Sequence, residues 1–241
     1  MKFDRLLIKL LALSFSILSY GITEAQQSTN VMSKKERIIA YQIPEDSLKS
    51  ISTQELLERC MNFPYLIDIY LVEDISLIFP YIIKSFNGFV EFFSSREDAG
   101  VVILNAYQNI QPDIIATKST IVEKYYAAFR FDCISLFLAQ EEILNQLKGS
   151  EKIAIRALLQ KNDQMDNYNY NSGEIIYDIF SKNFISYALA KYLQKSGSIS
   201  FTTLKNNNSE INESLSHFRI RALGENSIKE IKNIAINYIK N

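Results

Sequence analysis

Seven glycines and four prolines are all that interrupt 241 residues, and this scarcity limits the possible folds more than any motif does. Sharp turns between short strands draw on Gly and Pro, so a chain this poor in both is expected to run in long regular elements. The local signals are helical. Ser52-Thr53-Gln54-Glu55 reads as a capping box, opening a helix to about Asn62 with Leu56, Leu57 and Cys60 on one face. Pro64 suits the first turn of a second helix, to about Val72, because its missing N–H is unpaired there anyway. A third helix over Ser76–Phe86 must hold Pro80 in its first turn or kink there. Asn87-Gly88 is expected to end it, with Gly in the left-handed conformation.

A short helical turn at Phe89–Phe93 leads to Ser95-Arg96-Glu97-Asp98, which opens a helix to about Asn109. Gln111-Pro112-Asp113 breaks it. The longest element is expected over Ser119–Leu147, where Tyr125, Phe129, Cys133, Ile134 and Phe137 belong to an apolar surface too broad for anything but the middle of a bundle. A helix from Gly149-Ser150 to about Asn162 follows. Asp163–Gly173 reads as a polar loop, and Tyr177–Tyr192 as another long helix ending near Ser196-Gly197. Ser198–Leu204 alternates weakly like a strand, Lys205–Ser209 reads as a loop, and Asn226–Asn241 is a final amphipathic helix. The fold class is therefore all-α. It is an irregular array of eight or nine short helices, a globular bundle or solenoid-like, with no substantial sheet.

The first 25 residues read separately. Lys2 and Arg5 precede an apolar stretch from Leu6 to Ile22, and Thr23-Glu24-Ala25 is a small-x-small cleavage site. Lys9 shortens the uncharged run to Leu10–Thr23, about 14 residues against the roughly 20 that span a bilayer. A cleaved signal peptide is the expectation, with an uncleaved N-terminal anchor as the alternative. The domain reading is then a signal peptide at 1–25, a flexible segment at 26–42 and one helical domain at 43–241, with a soft division at 163–173.

Charge excludes more than it suggests. Three positive and two negative charges leave with Met1–Ala25, so the net charge moves from −1 to about −2. Nucleic acid would demand a clustered basic face, and no membrane span is expected after cleavage. The single histidine, His217, cannot supply the paired ligands of zinc sites, and no Gly-x-Ser-x-Gly elbow accompanies it. No glycine pattern for phosphates or dinucleotides occurs, so no metal or cofactor is expected. The carboxylate pairs Glu73-Asp74, Glu97-Asp98 and Glu141-Glu142 are sequence neighbours and point about 100° apart on a helix, which suits solvated faces. Cys60 and Cys133 allow one disulfide, but each sits among apolar residues where free Cys behaves as a small buried hydrophobe. Within Asp163–Gly173, Tyr168, Asn169 and Tyr170 form the ligand-contact candidate. Tyrosines two apart among amides would stack on and hydrogen-bond a glycan or peptide, or else pin the loop to the core.

Over 43–107 a resemblance enters. Ile43-Pro44-Glu45-Asp46, Ser52-Thr53 with Leu56-Leu57 and Cys60, Phe63-Pro64, Phe86-Asn87-Gly88-Phe89 with Glu91-Phe92, and Arg96, Asp98-Ala99-Gly100 with Tyr107 carry it. In these residues the chain resembles a family of uncharacterised exported all-helical proteins of Bacteroidetes-type bacteria. The resemblance covers about a quarter of the chain, and Pro80 departs from it. It implies an all-α fold and an envelope or secreted location, and it brings no catalytic residues. Asn87, Arg96 and Asp98 then stand out as polar residues at helix ends in an apolar setting, a cluster that capping and an Arg–Asp pair would explain.

The functional expectation is an exported, non-catalytic interaction protein of the periplasm or cell surface with a protein or glycan partner. A carboxylate-based hydrolase acting on a polymer is one alternative. A structural component of a larger envelope assembly is the other, which an exposed apolar patch would favour.

Overall fold

The computed structural model describes residues 32–219 and 223–240. The signal peptide and cleavage site read from the sequence lie outside the described residues. Among those residues the fold is all-α, with one isolated antiparallel bridge between Asp74 and Arg219 as its only β-type pairing. No helix there is long and apolar enough to cross a membrane.

Among the described residues fifteen helical segments replace the eight or nine expected. In chain order they are α1 (Lys34–Tyr41), α2 (Glu45–Ser50), α3 (Thr53–Met61), a 3-10 helix (Pro64–Tyr70), α4 (Ile75–Ser85), α5 (Asn87–Ser94) and α6 (Ala99–Asn109). A second 3-10 helix (Pro112–Thr117) leads to α7 (Ile121–Leu138), α8 (Glu141–Gln146), α9 (Glu151–Ser172), α10 (Ile179–Lys195), α11 (Ile199–Asn207), α12 (Ser209–Ser216) and α13 (Glu225–Lys240). The count rose because long readings split and loop readings proved helical. Ser198–Leu204, read as strand-like, lies in α11, and Lys205–Ser209 is the end of α11, one linking residue and the start of α12. Within the segment expected to be flexible, Lys34–Tyr41 is a helix closed by a full Ser33–Glu36 capping box.

The expected helix over Ser119–Leu147 breaks at Ala139–Gln140 with neither Gly nor Pro present, Gln140 taking an extended conformation. The turn lets Ile143, Leu144 and Leu147 bury on their own line. It also brings Gln146 across to α6, where its Oε1 accepts from the Gly100 N–H at 2.6 Å and its Nε2 donates to the Arg96 carbonyl at 2.9 Å. Tertiary burial overrides local propensity here.

Asp163–Gly173 is corrected in the opposite sense. It is the second half of α9, which runs unbroken to Ser172 and stops at Gly173 with φ +67°. Leu158, Lys161, Asn162, Met165 and Tyr168 are its buried line, at the three- and four-residue spacing of a helix face. Ion pairs from Lys182 and Lys232 to Asp166, and from Lys232 to Asp163, hold the polar side.

Pro80 sits in the interior of α4, which continues through it to Ser85. Its ring lies on the exposed face, where the carbonyl it leaves unpaired costs least. Gly88 does not end a helix. Phe86 terminates α4 in an extended conformation, and Gly88 stands in the first turn of α5 without a positive φ. Glycine is required by close approach, since a Cβ would come within 2.4 Å of the Phe86 ring. That ring is stacked on Phe63 at 4.8 Å and has little room to yield.

The centre is α7 packed on α10. All eight residues from Phe131 to Leu138 are buried, so this end of α7 meets protein on every side, as its apolar circumference predicts. Helices α9 and α13 close over α10, and α6 with the second 3-10 helix lies against α7. On the remaining side Phe137 meets Phe79, Phe89 and Phe93 with ring centroids 5.7, 5.6 and 5.4 Å away. One continuous hydrophobic cluster extends from Ile43 to Ala235. This is the globular alternative rather than the solenoid, because distant helices share one core.

Candidate functional site

The residues singled out in the sequence are mostly engaged in holding helices together. Asn87 clasps one residue of the chain before α2: its Oδ1 accepts from the Ile43 N–H at 3.0 Å and its Nδ2 donates to the Ile43 carbonyl at 2.7 Å. Gln42, which sequence reasoning missed, completes the clasp. Its Oε1 accepts from the Asn87 N–H and its Nε2 donates to the Ser85 carbonyl. The expected Arg96–Asp98 pair is replaced by two separate ties. Arg96 Nε lies 2.9 Å from Glu91 Oε1 and its Nη2 donates to the Leu48 carbonyl, while Asp98 accepts from Thr53 Oγ1 at 2.7 Å.

Tyr168 and Tyr170 do not form a platform, because residues two apart on a helix point to opposite sides. Tyr168 is 9% exposed, with its hydroxyl on Glu174, and Tyr170 is 88% exposed. Asn169 pairs with both backbone groups of Tyr177, accepting from its N–H and donating to its carbonyl. The structure thus separates the three members of this candidate.

Cys60 and Cys133 are free and wholly buried, so the disulfide allowed by the sequence is not formed. Burial pushes both thiols well above their ordinary range, which removes the reactive thiolate. A chromogenic disulfide reagent is therefore expected to leave the native chain untouched and to count two thiols after denaturation without reductant. A count below two in denaturant would reveal a bond.

His217 places Nδ1 3.3 Å from Asp74 Oδ2, and Ser76 Oγ donates to the other oxygen of the same carboxylate. A hydrolytic triad needs the imidazole between hydroxyl and carboxylate. Here the carboxylate lies between them, and it serves as the N-cap of α4 by accepting from the Ser76 N–H.

Five glutamates have their carboxyls held below the ordinary glutamate range. The Lys124 ammonium and Tyr168 hydroxyl do this for Glu174, Lys195 for Glu141, and the Ser227 hydroxyl with the Gly224 N–H for Glu210; helix-start N–H groups do it for Glu36 and Glu123. Glu210 lines an open polar cleft with Asn207, Asn208, Ser227 and Glu230. A general acid requires the opposite shift. Asn208 caps α12 there and donates to Ser227 and Glu230.

A depressed folded-state pKa contributes stability that is present above the ordinary glutamate range and lost as pH falls through it. Melting temperature is expected to hold from neutrality to about pH 5 and to fall below about pH 4. Circular-dichroism melts from neutral to acid pH check this, and a flat profile between about pH 3 and 5 would contradict it.

Among the described residues two charged side chains are buried. Asp132, 1% exposed, accepts from the Tyr70 hydroxyl and from Ser181 Oγ at 3.0 Å, joining α7 to the first 3-10 helix and to α10. Lys161 Nζ donates to the Gln108 carbonyl at 2.9 Å, where a cation suits the C-terminal end of α6. Desolvation lowers its pKa and Asp113 partly offsets this. Among the described residues no group of three or more His, Cys, Asp or Glu is placed to hold a metal ion.

Among the described residues several large apolar side chains are exposed, and on the outward side of α4 they adjoin one another along one helix line. Ile75, Phe79 and Ile82 form its buried line. The opposite line, at positions i, i+3, i+4 and i+7, is Leu77, Pro80, Tyr81 and Lys84, all exposed, with Leu77 at 73% and Tyr81 at 57%. A helix apolar on nearly every side belongs inside a structure, yet α4 is covered on one side only. The sequence signal was available in Ile75–Ile83, where Ser76 is the single polar side chain, but the sequence does not say which side stays bare. Comparison of the chain with known protein families, with curated proteins and with solved structures returns no match.

Proposed function

We propose that this chain is an exported, non-catalytic interaction protein of the periplasm or cell surface, and that the Leu77–Tyr81 face of α4 is its contact surface. Export rests on the basic start, apolar run and small-x-small site of Met1–Ala25 and on the resemblance to exported helical proteins of Bacteroidetes-type bacteria. The observation that carries the interaction reading is the uncovered line of Leu77, Pro80 and Tyr81, side by side on the outward face of a helix whose inner line of Ile75, Phe79 and Ile82 is packed. Exposed apolar surface of this kind marks contact sites on soluble domains. Leucine, proline and tyrosine with few hydrogen-bonding groups suit a protein partner better than a glycan. This also fits a component of a larger envelope assembly.

Photo-cross-linking tests the reading. A benzophenone amino acid at Leu77 is expected to capture a partner in cells, while the same probe at the exposed Lys229 of α13 captures none. Failure of capture at both Leu77 and Tyr81 would remove the reading.

A further inference from the structure

We propose that the partner of this face is a second copy of the chain, joined by antiparallel pairing of two α4 helices about a two-fold axis. The proposal rests on the interaction reading above and names the occupant of the same surface. Its ground is the placement of charge around the apolar line. Glu73, one residue before the Asp74 cap, and Lys84, in the last turn of α4, are both exposed. Neither makes an ion pair or hydrogen bond among the described residues, although most of their charged neighbours are engaged, Asp74 by Ser76 and His217 and Asp68 by Lys34. Among the described residues, the charges that flank the bare line in the chain, Glu73 just before α4 and Lys84 in its last turn, are thus uncompensated.

Such a line is complementary to itself when reversed. The midpoint between Glu73 and Lys84 in the chain is also the midpoint between Leu77 and Pro80. A two-fold axis through that point lays each Lys84 against Glu73 of the second copy and sets Leu77 over Pro80, with Tyr81 closing beyond. Both charges are satisfied twice by one operation, as an isologous interface requires. The helix dipoles also oppose in this arrangement. Parallel pairing would set Lys84 on Lys84 and Glu73 on Glu73. A lipid surface would have to accept Glu73 and Asp74 beside the apolar line, which anionic headgroups oppose.

Sedimentation velocity of the purified chain at low ionic strength tests the pairing, and a concentration-dependent dimer is expected. Leu77→Asp should give a monomer that melts where the unaltered chain does at concentrations below its dimer Kd, because Leu77 is mostly exposed in the single chain. Glu73→Lys alone, or Lys84→Glu alone, should each raise the dimer Kd roughly tenfold, since two attractive contacts become repulsive at once. Mixing those two variants, or combining both changes in one chain, restores opposite charges at both contacts and should recover the original Kd. A chain that is monomeric throughout, a dimer indifferent to Leu77→Asp, or charge reversals that mixing does not rescue would each overturn the proposal. A monomeric chain that still cross-links from Leu77 to a different protein overturns the pairing and leaves the interaction reading standing. A monomer that captures nothing removes both.

Discussion

Replacing Phe137 with Ala is expected to lower the unfolding free energy by about 3–5 kcal/mol, the range found when a large aromatic is deleted from a packed core. Phe137 is wholly buried on α7 and touches the rings of Phe79 on α4 and of Phe89 and Phe93 on α5. The cost has two parts, the lost transfer of the ring from water and the cavity left among three rings that cannot all close into it. Those rings are tied in turn to Phe63 and Phe86, with Phe63–Phe86 and Phe86–Phe89 centroids at 4.8 and 5.6 Å. Local relaxation is thus limited, and the upper half of the range is expected. Phe137→Leu should recover more than half of the loss, because it restores much of the volume. Urea unfolding followed by circular dichroism measures both, and a loss under about 1 kcal/mol for the alanine variant would mean that this aromatic joint is not packed as described.

The second large effect is expected at Asp132. Asp132→Ala deprives the Tyr70 hydroxyl and Ser181 Oγ of their acceptor in the interior. Each buried donor left without a partner costs about 1–3 kcal/mol, so a total loss of about 3–5 kcal/mol is expected. The Tyr70 ring is held edge-on against Phe129 and Phe184, so it cannot swing its hydroxyl to water without breaking those contacts. Asp132→Asn keeps an acceptor oxygen and the shape, and should lose clearly less. Tyr70→Phe removes one donor while Ser181 still serves the carboxylate, so about 1–2 kcal/mol is expected. The order Ala, then Asn or Phe, in decreasing damage is the measurable result. An alanine variant as stable as the wild type would show that the carboxylate contributes nothing to joining the three elements.

How much of this could be read in advance depends on whether the deciding physics was local. Helix class was legible because caps and apolar spacing are local: Ser52 accepts from the Glu55 N–H as the capping sequence suggested, and Gly197 takes a positive φ just past the end of α10, where the sequence placed the end of that helix. The buried circumference of α7 was legible for the same reason. What failed was whatever depended on a remote neighbour. Nothing near Ala139 announces a break, because its cause is Gln146 reaching α6. The amide-rich run before Gly173 looked like a loop because only Met165 and Tyr168 in it turn large groups to the core, and its ion-pair partners Lys182 and Lys232 lie on α10 and α13. Gly88 was recognised as special for the wrong reason: the sequence shows a glycine, but only the packed Phe86 ring shows that the need is for space.

The candidate site was less legible than the fold. Tyr168, Asn169, Asn87 and Asp98 were chosen for their chemistry, and the structure occupies each of them with internal bonds. The bare face of α4 was not singled out, since a sequence does not reveal how many sides of an apolar helix receive neighbours.

The contrast between α7 and α1 has a consequence for the motions of the molecule. The amides of Phe131–Leu138 are enclosed on all sides, so their hydrogens exchange with solvent only when the whole domain opens, and their protection reports global stability. Lys34–Tyr41 contributes no buried residue; it is held by the Lys34–Asp68 ion pair, the Tyr41–Phe63 ring contact and the Gln42 clasp. Its amides exchange through local fraying at far lower free energy. Deuterium uptake would thus rank the chain from a fast outer strap to a slow axis, with α4 between them, its inner residues protected and its outer line open to whatever binds.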